Sequence, residues 1–323
     1  MLHKKMATFT AAELQQRRFP PIAFVVDPYI VEGLTILAGR PKLGKSWLVL
    51  DIALSVACGG PAFGSIPCEQ GSVLYACLED NPRRIQRRTQ QLMGDVADWP
   101  ESLTFTHALP RLDEGGIEEL EMWRQSVSKP RLIIIDTLQK VRAVRRNNDG
   151  IYDSDYQALI PLQEWASQHG IAVIAVHHTR KAEADDPLDT VSGSTGLTGA
   201  ADTIVVLHRD SGGVVLVGRG RDIDEFETAV KLDQTTGQWS ILGKAADVRR
   251  SDERKCILEA LMHGKASVGE LMAATGMARN NIDVLLYKMA KAGEIERVGR
   301  GSYSLYDPSK NDKTVRNWGE AYD

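Results

Sequence analysis

Residues 39–46 read GRPKLGKS and satisfy G-x-x-x-x-G-K-[ST] in full. This pattern constrains the fold because it works only between a strand ending at its first glycine and a helix beginning at its lysine. Both neighbours have that character. GLTILAG (33–39) is an apolar run of strand length, and KSWLVLDIALSVACG (45–59) reads as an amphipathic helix closed by glycine. In such a loop Gly39 and Gly44 let backbone N–H groups turn inward around phosphate oxygens, and the helix start behind them favours negative charge. Lys45 would reach the β- and γ-phosphates, and the Ser46 hydroxyl would hold Mg²⁺. The candidate nucleotide-binding residues are Gly39, Arg40, Pro41, Lys42, Leu43, Gly44, Lys45, Ser46 and Trp47.

Further apolar runs follow. GSVLYACLE (71–79), LTFTH (103–107), RLIIIDT (131–137) and IAVIAVHH (171–178) read as strands. They alternate with helical patterns over 81–94, 117–128 and 155–170, the last with Pro161 marking a bend. Near-continuous apolar strands separated by helices predict a parallel sheet covered on both faces. After residue 200 four short strands, ADTIVVLHR, GGVVLVGRGR, FETAVKLD and GQWSILG, are joined by tight turns and predict antiparallel additions at the sheet edge. Helical patterns over 252–264, 267–276 and 278–293 then precede a hairpin, EIERVGRGSYSLYD (294–307), the order of a winged helix-turn-helix. The expected fold class is α/β, a P-loop core with a mostly parallel sheet and antiparallel edge strands, plus a small C-terminal winged helix-turn-helix. Its divisions are an N-terminal approach segment (1–32), the P-loop domain (33–243), a linker (244–251), the winged helix (252–307) and a flexible tail (308–323).

The 323 residues suffice for two domains, and 43% hydrophobic with 25% charged residues is ordinary for folded chains. A net charge of −4 means that any nucleic-acid site is a local patch or a channel lining. The four cysteines form no C-x-x-C pair, which argues against zinc and a disulfide framework and for reduced thiols. No stretch approaches the roughly 18 apolar residues of a membrane span, and the N-terminus lacks a signal-peptide core. The expectation is a cytoplasmic protein without a membrane partner.

Three strand ends carry candidate chemistry. Asp136 closes RLIIID at the carboxyl edge of the sheet, where it would hold Mg²⁺ beside the phosphates. Thr137, not a second acid, follows it, so a carboxylate that orients an attacking water has to come from another strand. Glu79, at the tip of SVLYACLED, is the available candidate, with Asp80 capping the helix that Pro82 opens. On geometry alone the opposite assignment, with Glu79 structural, stays open. AVHHTRK ends the third strand; its two histidines point to opposite sides, so one of them would sense the γ-phosphate.

The P-loop, LYACLED, IIIDTLQK and VHHTRK, in that order, together with the opening FPPIAFVVDPYIVEGLTILAGRPKLGKSWLVLDIAL, resemble the RecA-like ATPases of the RepA type, plasmid and phage ring helicases related more distantly to the DnaB and KaiC groups. The resemblance spans residues 18–242. It implies ATP and Mg²⁺ as cofactors, Lys45 and Ser46 on the nucleotide and metal, Glu79 as catalytic base, Asp136 as metal partner and His178 as γ-phosphate sensor. It further implies a hexameric homo-oligomeric ring with ATP at subunit interfaces and an arginine donated in trans. VGRGRD offers Arg219 and Arg221, with Arg219 favoured and the two not separated.

In such rings the loops after the aspartate and histidine strands line a channel for single-stranded DNA. The first loop carries Lys140, Arg142, Arg145 and Arg146, cations able to track a phosphate backbone without reading sequence. In the winged helix, Arg279 and Asn280 open the third helix and Arg297 and Arg300 sit on the wing, where duplex contacts would fall. The expected function is an ATP-hydrolysing DNA helicase or translocase in plasmid or phage replication. The alternative is a DNA-bound regulatory or recombination ATPase in which hydrolysis is a switch and the winged helix targets DNA or a partner protein. A small-molecule kinase with the arginines of RRIQRR (83–88) as a lid fits less well, having little need for a hydrolytic carboxylate.

Overall fold

The computed structural model describes residues 8–95, 98–143, 151–180, 184–191, 195–210 and 212–306. The tail 308–323 lies outside them. The chain forms two compact units, residues 1–242 and 243–323.

In the first unit a short helix, α1 (Ala11–Gln16), and a strand pair, β1 (Phe24–Val26) with β2 (Ile30–Val31), precede β3 (Gly33–Gly39). Then come α2 (Lys45–Cys58), a small ribbon of β4 (Pro61–Ala62) and β5 (Ile66–Pro67), β6 (Ser72–Cys77), α3 (Pro82–Met93) and β7 (Leu103–Thr106). They are followed by α4 (Ile117–Ser126), β8 (Pro130–Asp136), α5 (Ile151–His169), β9 (Ala172–His178), α6 (Thr195–Ala200), β10 (Thr203–Asp210), β11 (Gly213–Gly220), β12 (Phe226–Leu232) and β13 (Trp239–Lys244). Nine strands make one sheet in the order β13-β12-β11-β10-β3-β9-β8-β6-β7. Pro161 sits inside α5 without ending it.

The apolar strands form the parallel part, as their two-sided hydrophobicity requires. β3 is buried at every position, and β8 and β9 nearly so. β10 departs from expectation. Its sequence places it among the antiparallel additions, yet it runs parallel to β3, with Val205 opposite Leu37 and Leu207 opposite Gly39. The crossover through α6 carries the chain back to the amino edge before β10 begins, which a tight turn cannot do. Antiparallel pairing starts with β11 against β10 and continues with β12 against β11.

Alternation divides each central strand between two layers. Leu132 and Ile134 of β8, Ile174 and Val176 of β9, and Val73 and Tyr75 of β6 pack with Leu48, Ile52 and Val56 of α2. Their neighbours Ile133, Ile135, Val173 and Ala175, also fully buried, face the other layer, where α5 lies against the sheet. α2 is buried from Leu48 to Ala57 on every side, so the expected amphipathic stripe is replaced by a core helix.

Asp51 is the exception inside that helix. It is 4% exposed and accepts the backbone N–H of the fully buried Trp239 at 3.2 Å. Burial pushes its carboxyl from 3.8 up to about 7, with the Trp239 hydrogen bond opposing. The native state therefore keeps a proton that the unfolded chain releases near pH 4. Stability falls as pH rises from about 4 to 7, by at most roughly 1.4 kcal/mol per pH unit. Asp51→Asn retains an acceptor and cannot ionise. Urea unfolding at pH 5 and pH 8 is expected to show a smaller loss of midpoint in the variant than in the parent; equal losses would refute the assignment.

The second unit contains α7 (Ala245–Met262), β14 (Ala266–Ser267), α8 (Val268–Thr275), α9 (Arg279–Lys291), β15 (Ile295–Gly299) and β16 (Ser302–Leu305), with strand order β14-β16-β15. Ile257, Leu261, Leu271, Ile282, Leu285, Leu286, Met289 and Ile295 form its core. α8 starts at a reciprocal cap: Glu270 N–H donates to Ser267 Oγ at 3.2 Å, and Ser267 N–H to Glu270 Oε2 at 2.7 Å. Residues 245–251, expected as part of a linker, are instead the first turns of α7. AADVRRS contains no glycine or proline to stop a helix.

Candidate active site

The site begins where β3 ends. Gly44 precedes α2 with φ 104°, and a Cβ there would stand 2.8 Å from the Trp239 ring. Gly39 has a different reason: a Cβ would meet the Leu207 carbonyl oxygen at 2.6 Å. Lys45 is buried, and its ammonium donates to the carbonyls of Gly39 at 2.7 Å and Arg40 at 3.1 Å. Burial lowers its pKa, while the charges of Asp136 and Glu79 act the other way. Lys45 is thus held over the loop with two carboxylates in its field.

Asp136, at the end of β8, is 8% exposed. Its carboxylate takes hydrogen bonds from the Ser46 hydroxyl and from Tyr75 Oη, the latter at 3.0 Å. Burial raises its pKa despite both bonds. A divalent cation fits this pair, because Ser46 and Asp136 are hard oxygen donors and the buried carboxylate has no cation in direct contact among the described residues. No cluster of three or more His, Cys, Asp or Glu able to hold a metal occurs among the described residues, so the remaining ligands would be phosphate oxygens and water. Tyr75 is absent from the sequence-based set of site residues. Its signal was period two: Tyr75, Cys77 and Glu79 alternate along one side of β6 and its extension.

Glu79 and Asp80 separate clearly. Asp80 pairs with Arg84 at 2.5 Å and also with Arg88. It is not the cap of α3: Asn81 is, accepting the Arg84 N–H at 2.9 Å, with Pro82 in the first turn. Asp80 instead anchors the helix through its arginines, and Arg88 lies over the Trp47 ring at 5.5 Å. Arg84 and Arg88 are thereby committed. Glu79 is exposed and makes no hydrogen bond or ion pair with the described residues, while its charge is felt at both Lys45 and Asp136.

His178 lies opposite Gly39 in the β3–β9 register, on the strand side shared with Ile174 and Val176 and hence on the α2 side of the sheet. Its buried Nδ1 has no hydrogen-bond partner among the described residues, an orphan acceptor or donor beside the P-loop. His177 falls on the opposite side.

The candidate arginines lie elsewhere. Arg219 of β11 is opposite Ile204, whose neighbour in β3 is Ile36, three residues or about 10 Å before Gly39. Arg221 follows at the same end, so both emerge at the sheet edge away from their own P-loop. Arg219 is half exposed and pairs with Glu225 at 2.8 Å and Asp186 at 3.2 Å. Arg221 donates to Asp202 Oδ1 at 3.1 Å and to the Gly199 carbonyl at 3.1 Å. Asp202 also accepts Leu34 N–H at 2.9 Å and Gln163 Nε2 at 2.8 Å, which makes it a structural junction.

Of the channel candidates, Lys140 is exposed after β8, whereas Arg142 is tied to the buried Asp155 at 3.0 Å. Arg145 and Arg146 lie outside the described residues. Arg279, Asn280, Arg297 and Arg300 are all exposed on the second unit.

A glycine-rich loop at the carboxyl edge of a mostly parallel sheet, with a lysine over it and a serine–aspartate pair beside it, defines a RecA-like P-loop protein. The chain belongs to the AAA domain family, whose model matches residues 3–184. It is 25% identical over 195 residues to the Gene 65 protein of Mycobacterium phage D29, covering 56% of this chain and 82% of that one. Among solved structures it is similar to an isolated ATPase domain, with a TM-score of 0.52 and 17% identity over 65% of this chain and 85% of that one. It is similar to the same degree, TM-score 0.52 and 17% identity, to a DnaB-like replicative helicase studied with primase, covering 66% of this chain and 58% of the helicase. At such identity the two structures speak to the fold alone.

Proposed function

We propose that the chain is a RepA-type, RecA-like ATPase that acts in the cytoplasm as a ring-shaped DNA helicase or translocase in phage or plasmid replication. The observation that carries this reading is the convergence of Lys45, Ser46, Asp136 and Glu79 at one sheet edge. These are the groups that phosphoryl transfer to water needs: a cation for the phosphates, two oxygen ligands for a metal, and a carboxylate free to orient the nucleophile. The similarity to a phage protein and the fold shared with a DnaB-like replicative helicase support the biological setting.

Each residue has a derivable task. With ATP bound, Lys45 leaves the Gly39 and Arg40 carbonyls and turns to the β- and γ-phosphates. Ser46 and Asp136 hold Mg²⁺, which would neutralise charge developing on the phosphate oxygens. Tyr75 fixes the Asp136 carboxylate through its 3.0 Å hydrogen bond. Glu79, unencumbered, aligns a water and takes its proton. The orphan Nδ1 of His178 meets a γ-phosphate oxygen or a water upon it. Arg219 serves the neighbouring subunit, since it leaves the sheet at the edge away from its own P-loop. Lys140, with Arg145 and Arg146, lines the DNA path; Arg142 braces that loop through Asp155.

ATP turnover with and without single-stranded DNA tests the reading. The parent protein is expected to be stimulated several-fold, and Lys45→Ala to lose nucleotide binding and turnover together. Turnover that is absent in the parent protein, or unchanged in Lys45→Ala, refutes it. A second reading, a DNA-bound regulatory ATPase, is favoured by the second unit, whose three helices and three-stranded sheet have the order of a winged helix. A forked-duplex assay separates them: unwinding supports the motor, whereas stimulation by duplex DNA without unwinding supports the switch.

A further inference from the structure

α9 buries Ile282, Leu285, Leu286 and Met289. At 100° per residue the opposite face is centred on Asn280, Val284, Tyr287 and Lys291. Val284 is 53% exposed and Tyr287 70%, so two large apolar side chains occupy the middle of the solvent face, not its margins. The margins are cationic. Arg279 and Lys288 flank the stripe, Lys291 ends it, and the acid of this helix, Asp283, already faces Arg279 at 3.7 Å. Arg297 and Arg300 stand exposed on the hairpin of the same unit.

An apolar stripe with a cationic rim matches a polyanion whose surface carries methyl groups. A second copy of the chain presenting this face would set cations against cations, so self-association is disfavoured. The major groove of duplex DNA has both properties: phosphates along its walls and, on its floor, the C5-methyl groups of thymine beside the adenine N6/N7 edge. Asn280 lies in the first turn of α9, where a recognition helix meets base edges, and its side chain makes no hydrogen bond with the described residues. An asparagine offers the donor–acceptor pair that adenine N7 and N6 require. Val284 is one turn further on the same face, about 6 Å along the axis, within reach of a neighbouring base pair.

We propose that α9 reads A·T base pairs in the major groove of duplex DNA, with Asn280 hydrogen-bonding adenine, Val284 packing on a thymine methyl group, and Tyr287 reaching a phosphate. This rests on the reading of the second unit as a DNA-binding winged helix, and it assigns that unit its specificity. The rim arginines and lysines supply affinity without sequence information.

The full-length protein is used to select from duplexes with a randomised centre. A winning site is then resynthesised with deoxyuridine for single thymidines, which removes only the methyl group. The selected sites are expected to share an A·T step. At one position deoxyuridine is expected to weaken the parent protein roughly tenfold while Val284→Ala binds both duplexes alike. Asn280→Ala is expected to lose the adenine preference at an adjacent position. Both residues are exposed, so the thermal midpoint should not move, which separates loss of reading from loss of fold. Selection without an A·T bias, or an equal deoxyuridine penalty in parent and Val284→Ala, overturns the assignment while leaving duplex binding by this unit intact. If Arg279→Ala with Arg297→Ala does not weaken duplex binding at all, the underlying reading fails and the assignment with it. A change of oligomeric state in Val284→Ala with unaltered DNA binding likewise overturns it in favour of a protein contact.

Discussion

Glu79→Gln is expected to bind ATP as the parent protein does and to hydrolyse it at least about a hundredfold more slowly. The amide keeps the size of the side chain but accepts no proton from water. Binding should survive because Glu79 has no hydrogen bond or ion pair with the described residues, so nothing in the fold depends on it. Removing its charge also relieves Asp136, on which it acts unfavourably, and tighter retention of Mg·ATP is a reasonable companion effect. Asp80→Asn provides the contrast. Asp80 holds Arg84 and Arg88 on α3, so its loss should lower stability more than it lowers turnover per folded molecule. Equilibrium binding of a fluorescent ATP analogue, single-turnover hydrolysis and thermal midpoints distinguish the two variants. Normal hydrolysis by Glu79→Gln would remove it from the mechanism.

Arg219→Ala is expected to lower turnover by roughly a thousandfold or more, the usual effect of withdrawing an arginine from the transition state of phosphoryl transfer. Its present partners, Glu225 and Asp186, are substantially exposed, and such pairs contribute little to stability. The thermal midpoint of Arg219→Ala should therefore match the parent. Arg221→Ala behaves differently, because Arg221 supports Asp202 at the junction with Leu34 and Gln163. Loss of turnover there should come with loss of stability. A catalytic defect in Arg221→Ala without a shift in midpoint, beside an active Arg219→Ala, would exchange the two roles.

What the sequence made legible was local. GRPKLGKS fixed a strand end, a turn and a helix start within eight residues, and the apolar runs closing at Asp136 and His178 marked the sheet edge without help from distant contacts. What it did not reveal depends on partners far along the chain. Apolar alternation in 203–210 says strand but not direction; α6 decides that β10 runs parallel. Asp80 and Asn81 are both good caps, and the choice follows from Arg84 and Arg88 competing for Asp80. Arg142 reads as part of a free cationic run, yet Asp155 holds it. Tyr75 on Asp136 joins residues 61 apart in sequence, across two adjacent strands.

The account centres on a composite site, with Lys45, Ser46, Asp136 and Glu79 from one subunit and Arg219 from its neighbour. Mixing purified Glu79→Gln with Arg219→Ala tests it most directly. Each variant alone should be inactive. In a mixed assembly, an interface with the P-loop from the Arg219→Ala subunit and the arginine from the Glu79→Gln subunit is complete, so ATP turnover should reappear on mixing and depend on the ratio of the two. A mixture that co-assembles yet stays as inactive as its parents would contradict the shared site.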